Sequence, residues 1–434
     1  MRVSVLLTLS LTATGVPLVA QSPAPRTLSL AQAIALGRER GVSAAIARIN
    51  ERIADARVGQ RRADLLPSVT VSGSAVRQTL NLDEFGIPIA SGVTDPFNVW
   101  RFQFQASETL FNASSLARLR SAKDSALAVG ADARAVGELT AAAAGLAYLR
   151  VLSAEETVRA READSMVSSD LLAQSRQQVN AGTSPAIDAT RSETQQAGVL
   201  TQLEVARNQR DRTRLDLART LDLPSETPLV LSDTLGAAEN DLPREPDAAV
   251  AFAFDHRSEL AAERGRTAVA QRALKAIGLE YVPNLSVGGA YTESGRDMGA
   301  LKGSYAVQVQ LSVPLLDGFR RPARQQESAA RLEAQRLRQH DTEQQVAVET
   351  REAILDQTSA DHQVALAADR LRLAELELAQ AKERFVAGVA GSVETTTAQG
   401  GLVAARDGFI QARVNAAVAR VSVRRALGVL DQTP

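Results

Sequence analysis

The sequence predicts a mainly helical protein with a small β part, built from two copies of one unit. Three observations carry that expectation. No proline occurs in 97–184, 186–223 or 323–433, and proline-free runs of that length permit very long helices. Short stretches of apolar–polar alternation break the helical pattern twice in each half, and alternation at period two is the mark of a strand. The whole arrangement then repeats. Pro67 aligns with Pro283 at an offset of 283 − 67 = 216, which also pairs Ala33 with Ala249 and Val71 with Val287. Gly182 aligns with Gly388 at 388 − 182 = 206, which pairs Leu221 with Leu427. The change of offset falls in the loop after the first strand, where a length difference costs least.

Composition excludes several functions. The chain has 434 residues, 49 basic and 50 acidic, so it lacks the basic footprint of a nucleic-acid binder. Aromatics make up only 3% against 45% hydrophobic residues, which favours long helices packed along alanine over one large core. There is no cysteine, hence no disulfide, thiolate metal site, thiol catalysis or lipid-bearing N-terminal cysteine. His256, His340 and His362 are scattered without metal-ligand spacing. No serine elbow, phosphate loop or paired carboxylates appear, so neither an enzyme nor a cofactor is expected.

Taken in chain order, residues 1–20 carry one arginine, an apolar stretch and a small residue at Ala20, the pattern of a secretory signal peptide cut near that alanine. The first repeat is placed at 21–223, a linker at 224–247 and the second repeat at 248–434. Each repeat is expected to run helix, strand, loop, strand, very long helix, tight turn, returning helix. The first helical run ends at "LPSVTVSG" (66–73), and its counterpart in the second repeat is "VPNLSVGG" (282–289). The long helices are expected over about 114–180 and 323–386, each spanning roughly 100 Å at 1.5 Å per residue. Gly182 and Gly388 suit tight turns at their ends. The returning helices are expected over about 186–222 and 392–428, with Asp188 and Glu394 in their first turns, where the helix dipole favours acids. The linker, rich in proline, serine and acids, is expected to be extended or loop.

The second strand of each repeat is the more telling. In "VWRFQFQASETLF" (99–111), Trp100, Phe102, Phe104 and Ala106 fall on one face, with Arg101, Gln103, Gln105 and Ser107 opposite. In "YAVQVQLSV" (305–313), Tyr305, Val307, Val309 and Leu311 alternate with Ala306, Gln308, Gln310 and Ser312. About ten residues of strict alternation suits a transmembrane barrel strand, apolar towards lipid and polar towards a lumen. A half-buried sheet in a soluble protein has the same pattern. If these strands do face lipid, four per chain cannot close a barrel, so several chains must contribute; three would supply twelve strands.

With these residues in view, the chain resembles the outer membrane efflux protein family, the TolC-like outer membrane factors. The resemblance rests on "LSLAQAIAL" (28–36), "LLPSVTVSG" and "YVPNLSVGG" at the helix-to-strand junctions, and "QLSVPLLDGF" (310–319). The tips "NAGTSPAID" (180–188) and "VAGVAGSVE" (386–394) and the ending "RRALG" (424–428) complete it, in order and in duplicate. It implies a homotrimer whose twelve-stranded β-barrel in the outer membrane continues into a twelve-helix periplasmic α-barrel. It further implies a periplasmic adaptor protein and an inner membrane pump as partners, in drug, metal or polypeptide export. A soluble periplasmic coiled-coil scaffold is the competing expectation; the alternating strands argue against it.

The resemblance also proposes site residues. Acids just past the second hairpin tip narrow the family's entrance, which makes Glu394 a gate candidate, and Asp188, in the same place in the first repeat, is named beside it; the second acid position of the family pattern holds Thr397 here. A plain helix N-terminal acid is the simpler account of both. Gly182, Thr183, Ser184, Gly388, Val389 and Ala390 match the turns that dock the adaptor, although turn chemistry alone also accounts for the glycines. Trp100, Phe102, Phe104, Tyr305, Val307, Val309 and Leu311 would face lipid. Arg257 in "HRSEL" (256–260) is expected to be structural.

Overall fold

The computed structural model describes residues 26–85, 92–236, 243 and 245–430. The expected signal peptide, 1–20, lies outside the described residues. From the N-terminus, β1 (Arg26–Leu28) leads into α1 (Leu30–Arg40) and α2 (Val42–Ala63). Then come β2 (Ser68–Gln78), β3 (Phe97–Phe111), α3 (Ala113–Asn180) and α4 (Ala186–Thr220). The short strand β4 (Leu229–Leu231) opens the second half, followed by α5 (Pro246–His256), α6 (Ser258–Gly278) and β5 (Asn284–Gly295). The chain closes with β6 (Lys302–Ser312), α7 (Arg320–Val386) and α8 (Ser392–Leu427).

The single helical run expected before the first strand is two helices. Gly41 ends α1 and begins α2 with an extended ψ of 129°. A side chain there would meet the Gly37 carbonyl at 2.5 Å and Thr140 at 3.2 Å, so glycine permits both the break and the close approach to α3. The second copy breaks at Arg257 instead. That side chain is buried, bonding Glu349 at 3.0 Å and also pairing Glu259, which gives "HRSEL" its structural role. The helix α7 starts at Arg320, ahead of the expected start at 323. Pro322 is tolerated because it stands in the first turn, where a backbone N–H has no helical partner.

The linker is not wholly loop. Its Leu229–Leu231 pairs in parallel with Arg26–Leu28, tying the start of one half to the start of the other. Next to it, Asp233 accepts from the Leu30 amide at 2.6 Å, and the buried Tyr148 hydroxyl lies 3.0 Å from both that carboxylate and the Leu28 carbonyl. Burial and the neighbouring Asp233 charge push the Tyr148 hydroxyl well above the usual tyrosine range, so it is held as a donor. Around this joint lies the largest apolar cluster, with Leu28, Ile34, Ala144, Leu217, Leu229, Val421 and Leu430.

The four long strands form one antiparallel sheet in the order β2-β3-β5-β6. The helices stack beyond one end of it. The α3 helix packs against α1, α2, α4, α6 and α8, and α7 against α5, α6 and α8. An 18-residue window of α3 is apolar enough to suit a membrane span, yet 61% of it is buried against these neighbours, as befits an alanine-rich central helix.

Candidate functional site

Two places carry the expected residues, the sheet and the helical tips. Register makes the sheet's apolar face continuous. Phe104 stands between Val71 and Tyr291, and Tyr291 is opposite Tyr305. Ala106 is flanked by Val69 and Gly289, and Gly289 by Val307. Val287 and Leu285 meet Val309 and Leu311. Trp100 is half-buried at the end remote from the helices. Phe104 is 49% exposed, Tyr305 83% and Val307 73%, with Phe102, Val309 and Leu311 likewise exposed. All seven residues proposed to face lipid therefore share one face. The sequence places Val69, Val71, Leu285 and Val287 in the first strands of the two repeats but assigns them no face, and it does not single out Tyr291. Gly288 and Gly289 dilute the pattern in β5, and only register shows that these residues extend the same face. The two acids on this face, Glu108 and Glu293, stand near its opposite ends.

The other face is polar. Gln103 lies between Ser72 and Thr292, and Arg101 between Ser74 and Ser294. Gln308 and Gln310 continue it on β6. Such a face keeps hydrogen-bonding groups towards water, and the apolar one suits hydrocarbon. The outer edges of β2 and β6 have no strand partner among the described residues.

At the far end of the helices, the two tips are built alike. Gly182 and Gly388 both adopt positive φ, at 75° and 72°. In each turn the residue after the glycine bonds back to the helix, Thr183 to the Gln178 carbonyl and Val389 to the Arg384 carbonyl, both at 3.0 Å. With Gly182 to Val179 and Gly388 to Phe385, this is the Schellman ending in duplicate. Open space surrounds both glycines, so conformation and not crowding demands them.

The two acids past these turns occupy equivalent positions, since 394 − 188 = 206, but differ in surroundings. Asp188 is buried. It accepts from Ser184 Oγ at 2.6 Å and, across to the other tip, from Ser392 Oγ at 2.5 Å, with Arg191 at 3.5 Å. Burial alone would raise its carboxyl, but the two hydroxyl donors and the arginine outweigh burial and hold it below the usual aspartate range. Gln178 Nε2 adds a second link, to the Phe385 carbonyl at 2.9 Å. Glu394 is exposed and pairs with Arg384 of its own hairpin at 2.9 Å. The tip residues Thr183, Ser184, Val389 and Ala390 lie in the turns, with Val389 largely exposed.

A further cluster had no sequence signal. Arg161 bonds Asp164 at 2.9 Å and Asp407 at 2.5 Å, and Arg406 bonds Asp164 at 2.5 Å. It joins α3 to α8 more than 200 residues away. Arg161 and Asp164 are both buried, and nothing local in "RAREADS" or "AARDG" shows that they meet. Among the described residues no cluster of His, Asp and Glu could hold a metal ion.

A sheet with one apolar and one polar face, two open edges and a helical extension is what the protomer of an outer membrane channel would present. The sequence profile described as outer membrane efflux protein matches residues 33–222 and 252–429, one segment in each half. The chain belongs to that family. No curated protein matches it in sequence. Among solved structures, it is similar to the CmeC outer membrane channel of Campylobacter jejuni, at 14% identity and a TM-score of 0.81, over 92% of this chain and 86% of that one. The outer membrane protein VceC of Vibrio cholerae gives 14% identity and a TM-score of 0.80, over 92% and 96%. The open state of the MtrE channel of Neisseria gonorrhoeae gives 18% and 0.72, over 92% and 89%. The fold is thus that of the TolC-like channels, a membrane β-barrel with a helical periplasmic part. The protein is an efflux exit duct in the outer membrane that extends into the periplasm, and the soluble scaffold is not favoured. Family and fold are those of channels rather than enzymes.

Proposed function

We propose that three copies of this chain form the duct, closing a twelve-stranded barrel, with the paired helical tips as its gated periplasmic entrance. Channels of this family work as trimers with an adaptor and a pump. For this chain, the observation that carries the reading is the sheet: its apolar face is continuous, but β2 and β6 are open edges. In lipid an open edge leaves backbone groups unsatisfied, so the sheet must meet other copies of itself. The division into repeats at 21–223 and 248–434, joined by 224–247, belongs to the same reading, each repeat supplying two strands.

Asp188 and Glu394 then have separate parts at the entrance. Asp188 holds the two tips of one protomer together, and Glu394 presents charge to the opening. The turns at Gly182, Thr183 and Ser184 and at Gly388, Val389 and Ala390 offer backbone and small side chains to a periplasmic adaptor, which brings an inner membrane pump. The test is fractionation with crosslinking. The protein should fractionate with the outer membrane, and crosslinking in detergent should stop at three chains and conduct ions in a planar bilayer. A monomer that stays soluble without detergent would overturn the reading.

A further inference from the structure

Charge is placed unevenly on the polar face of the sheet. From the helix end outwards as far as Gln103, the residues paired across this face are asparagine, serine, threonine, glutamine, glycine or alanine, and none ionises. The next row outwards is Ser74, Arg101, Ser294 and Lys302. It brings together two cations from opposite halves of the chain, and no acid shares the paired face with them.

Arg101 and Lys302 are both exposed, and neither pairs with an acid among the described residues. The sheet's own acids, Glu108 and Glu293, stand on the apolar face, on the other side of the wall. Further out on the polar side, the Arg296 guanidinium lies 4.5 Å over the Phe97 ring and adds a third cation. Asp95 and Asp297, the acids in the connections nearby, lie outside the strands.

The row lies at the end of the sheet remote from the helices. Lys302 is the first residue of β6, and Ser294 is one short of the end of β5. One strand separates β3 from β6, so the two backbones stand about 10 Å apart across the row. In a barrel whose strands tilt by about 35–45°, that step along the row also changes height by about 6 Å. Threefold symmetry then sets three arginines at one height and three lysines at another. Both separations fall within a Debye length of about 10 Å at 0.1 M salt, so the six fields overlap. Between this level and the helices, the wall of the sheet offers no acid to cancel them.

We propose that Arg101 and Lys302, with their counterparts in the other two copies, form a cationic filter at the outer mouth of the duct that favours anionic solutes. The proposal rests on the trimer reading and adds to it a charge class for what passes the exit. A low-dielectric wall around a water-filled lumen concentrates the field of such groups and raises the local concentration of anions. The duct is then electrically two-ended, with Glu394 presenting negative charge at the entrance and the paired row presenting positive charge at the exit.

The test is the reversal potential of size-verified trimers in a planar bilayer across a potassium chloride gradient. The double variant Arg101→Gln with Lys302→Gln should raise the permeability of potassium over chloride by about twofold or more near 0.1 M salt. The difference should shrink near 1 M, where the Debye length is about 3 Å. Arg77→Gln is the control. Arg77 is exposed near the same mouth, but its pairing with Asn98 puts it on the apolar face, outside the barrel, so its loss should shift the ratio far less. Hexacyanoferrate(III) added on the barrel side should reduce the current of the wild type more than that of the double variant. A trimer whose double variant keeps the wild-type ratio, or in which Arg77→Gln shifts it equally, overturns the filter and leaves the trimer standing. A wild type that forms no trimer overturns both together.

Discussion

The two long helices were made by one duplication, at 68 and 67 residues, and differ in what surrounds them. The α3 helix is buried nearly all round between Ala141 and Leu152 and keeps buried residues as far as Ser175. The α7 helix buries residues mostly singly or in pairs along one side, with Leu337, Val348, Leu355 and Leu366 exposed. One is central to its protomer and the other is an edge. Repetition of a sequence unit thus does not repeat an environment. The first copy is enclosed by the second, and the second stays at the edge of the protomer. The tips show the same asymmetry in miniature, with Asp188 clamped between hairpins and Glu394 in the open.

The largest expected effect breaks the enclosed side of this comparison. Asp164→Ala removes the buried carboxylate that Arg161 and Arg406 share; Asp407 still pairs with Arg161, so the cost should approach but not exceed the roughly 3–5 kcal/mol of breaking a fully buried pair. The midpoint of thermal unfolding of the helical signal should fall markedly. Glu327→Ala, which removes an exposed ion pair with Arg331 on α7, should hardly move it. Equal shifts would mean that the two helices are enclosed alike.

Asp188→Ala comes next. It removes the acceptor for two hydroxyls and should cost about 1–3 kcal/mol, read as faster amide hydrogen exchange at both tips. Glu394→Ala should leave that exchange unchanged. The pH dependence has a definite sign. The folded Asp188 carboxyl ionises below its unfolded value, so its contribution is complete above an unfolded pKa of about 3.9 and fades as pH falls through the lower folded value. Tip protection should therefore persist through mildly acidic conditions and fail only below the ordinary aspartate range.

Gly182→Ala and Gly388→Ala sharpen the comparison from the other side, because here the copies are alike. Both glycines hold positive φ in open space, so each change should cost about 1–2 kcal/mol of local stability, equally at the two tips. Unequal losses in hydrogen exchange would expose a contact made by only one turn. Smallest in stability is Glu394→Gln. It should leave folding untouched and weaken cation preference in single-channel recordings, because charge in a narrow opening acts through the field. Unchanged selectivity would return Glu394 to the role of a helix N-terminal acid.

What the sequence alone determined is what short-range chemistry encodes. Proline placement marked the long helices, glycine spacing marked both tips, and alternation in 99–111 and 305–313 marked the faces of two strands. Each is a property of neighbours along the chain, so the order of elements and the duplication were legible without coordinates. What only the tertiary structure decided involves partners far apart in sequence. The pairing of Leu229–Leu231 with Arg26–Leu28, the reach of Ser392 to Asp188 and the meeting of Arg161 with Asp407 leave no local periodicity. Three-residue strands are too short to alternate, and a buried carboxylate looks in sequence like any exposed helix acid. Which of two equivalent acids is buried depends on how the hairpins lean together, and that is set by packing along their whole length.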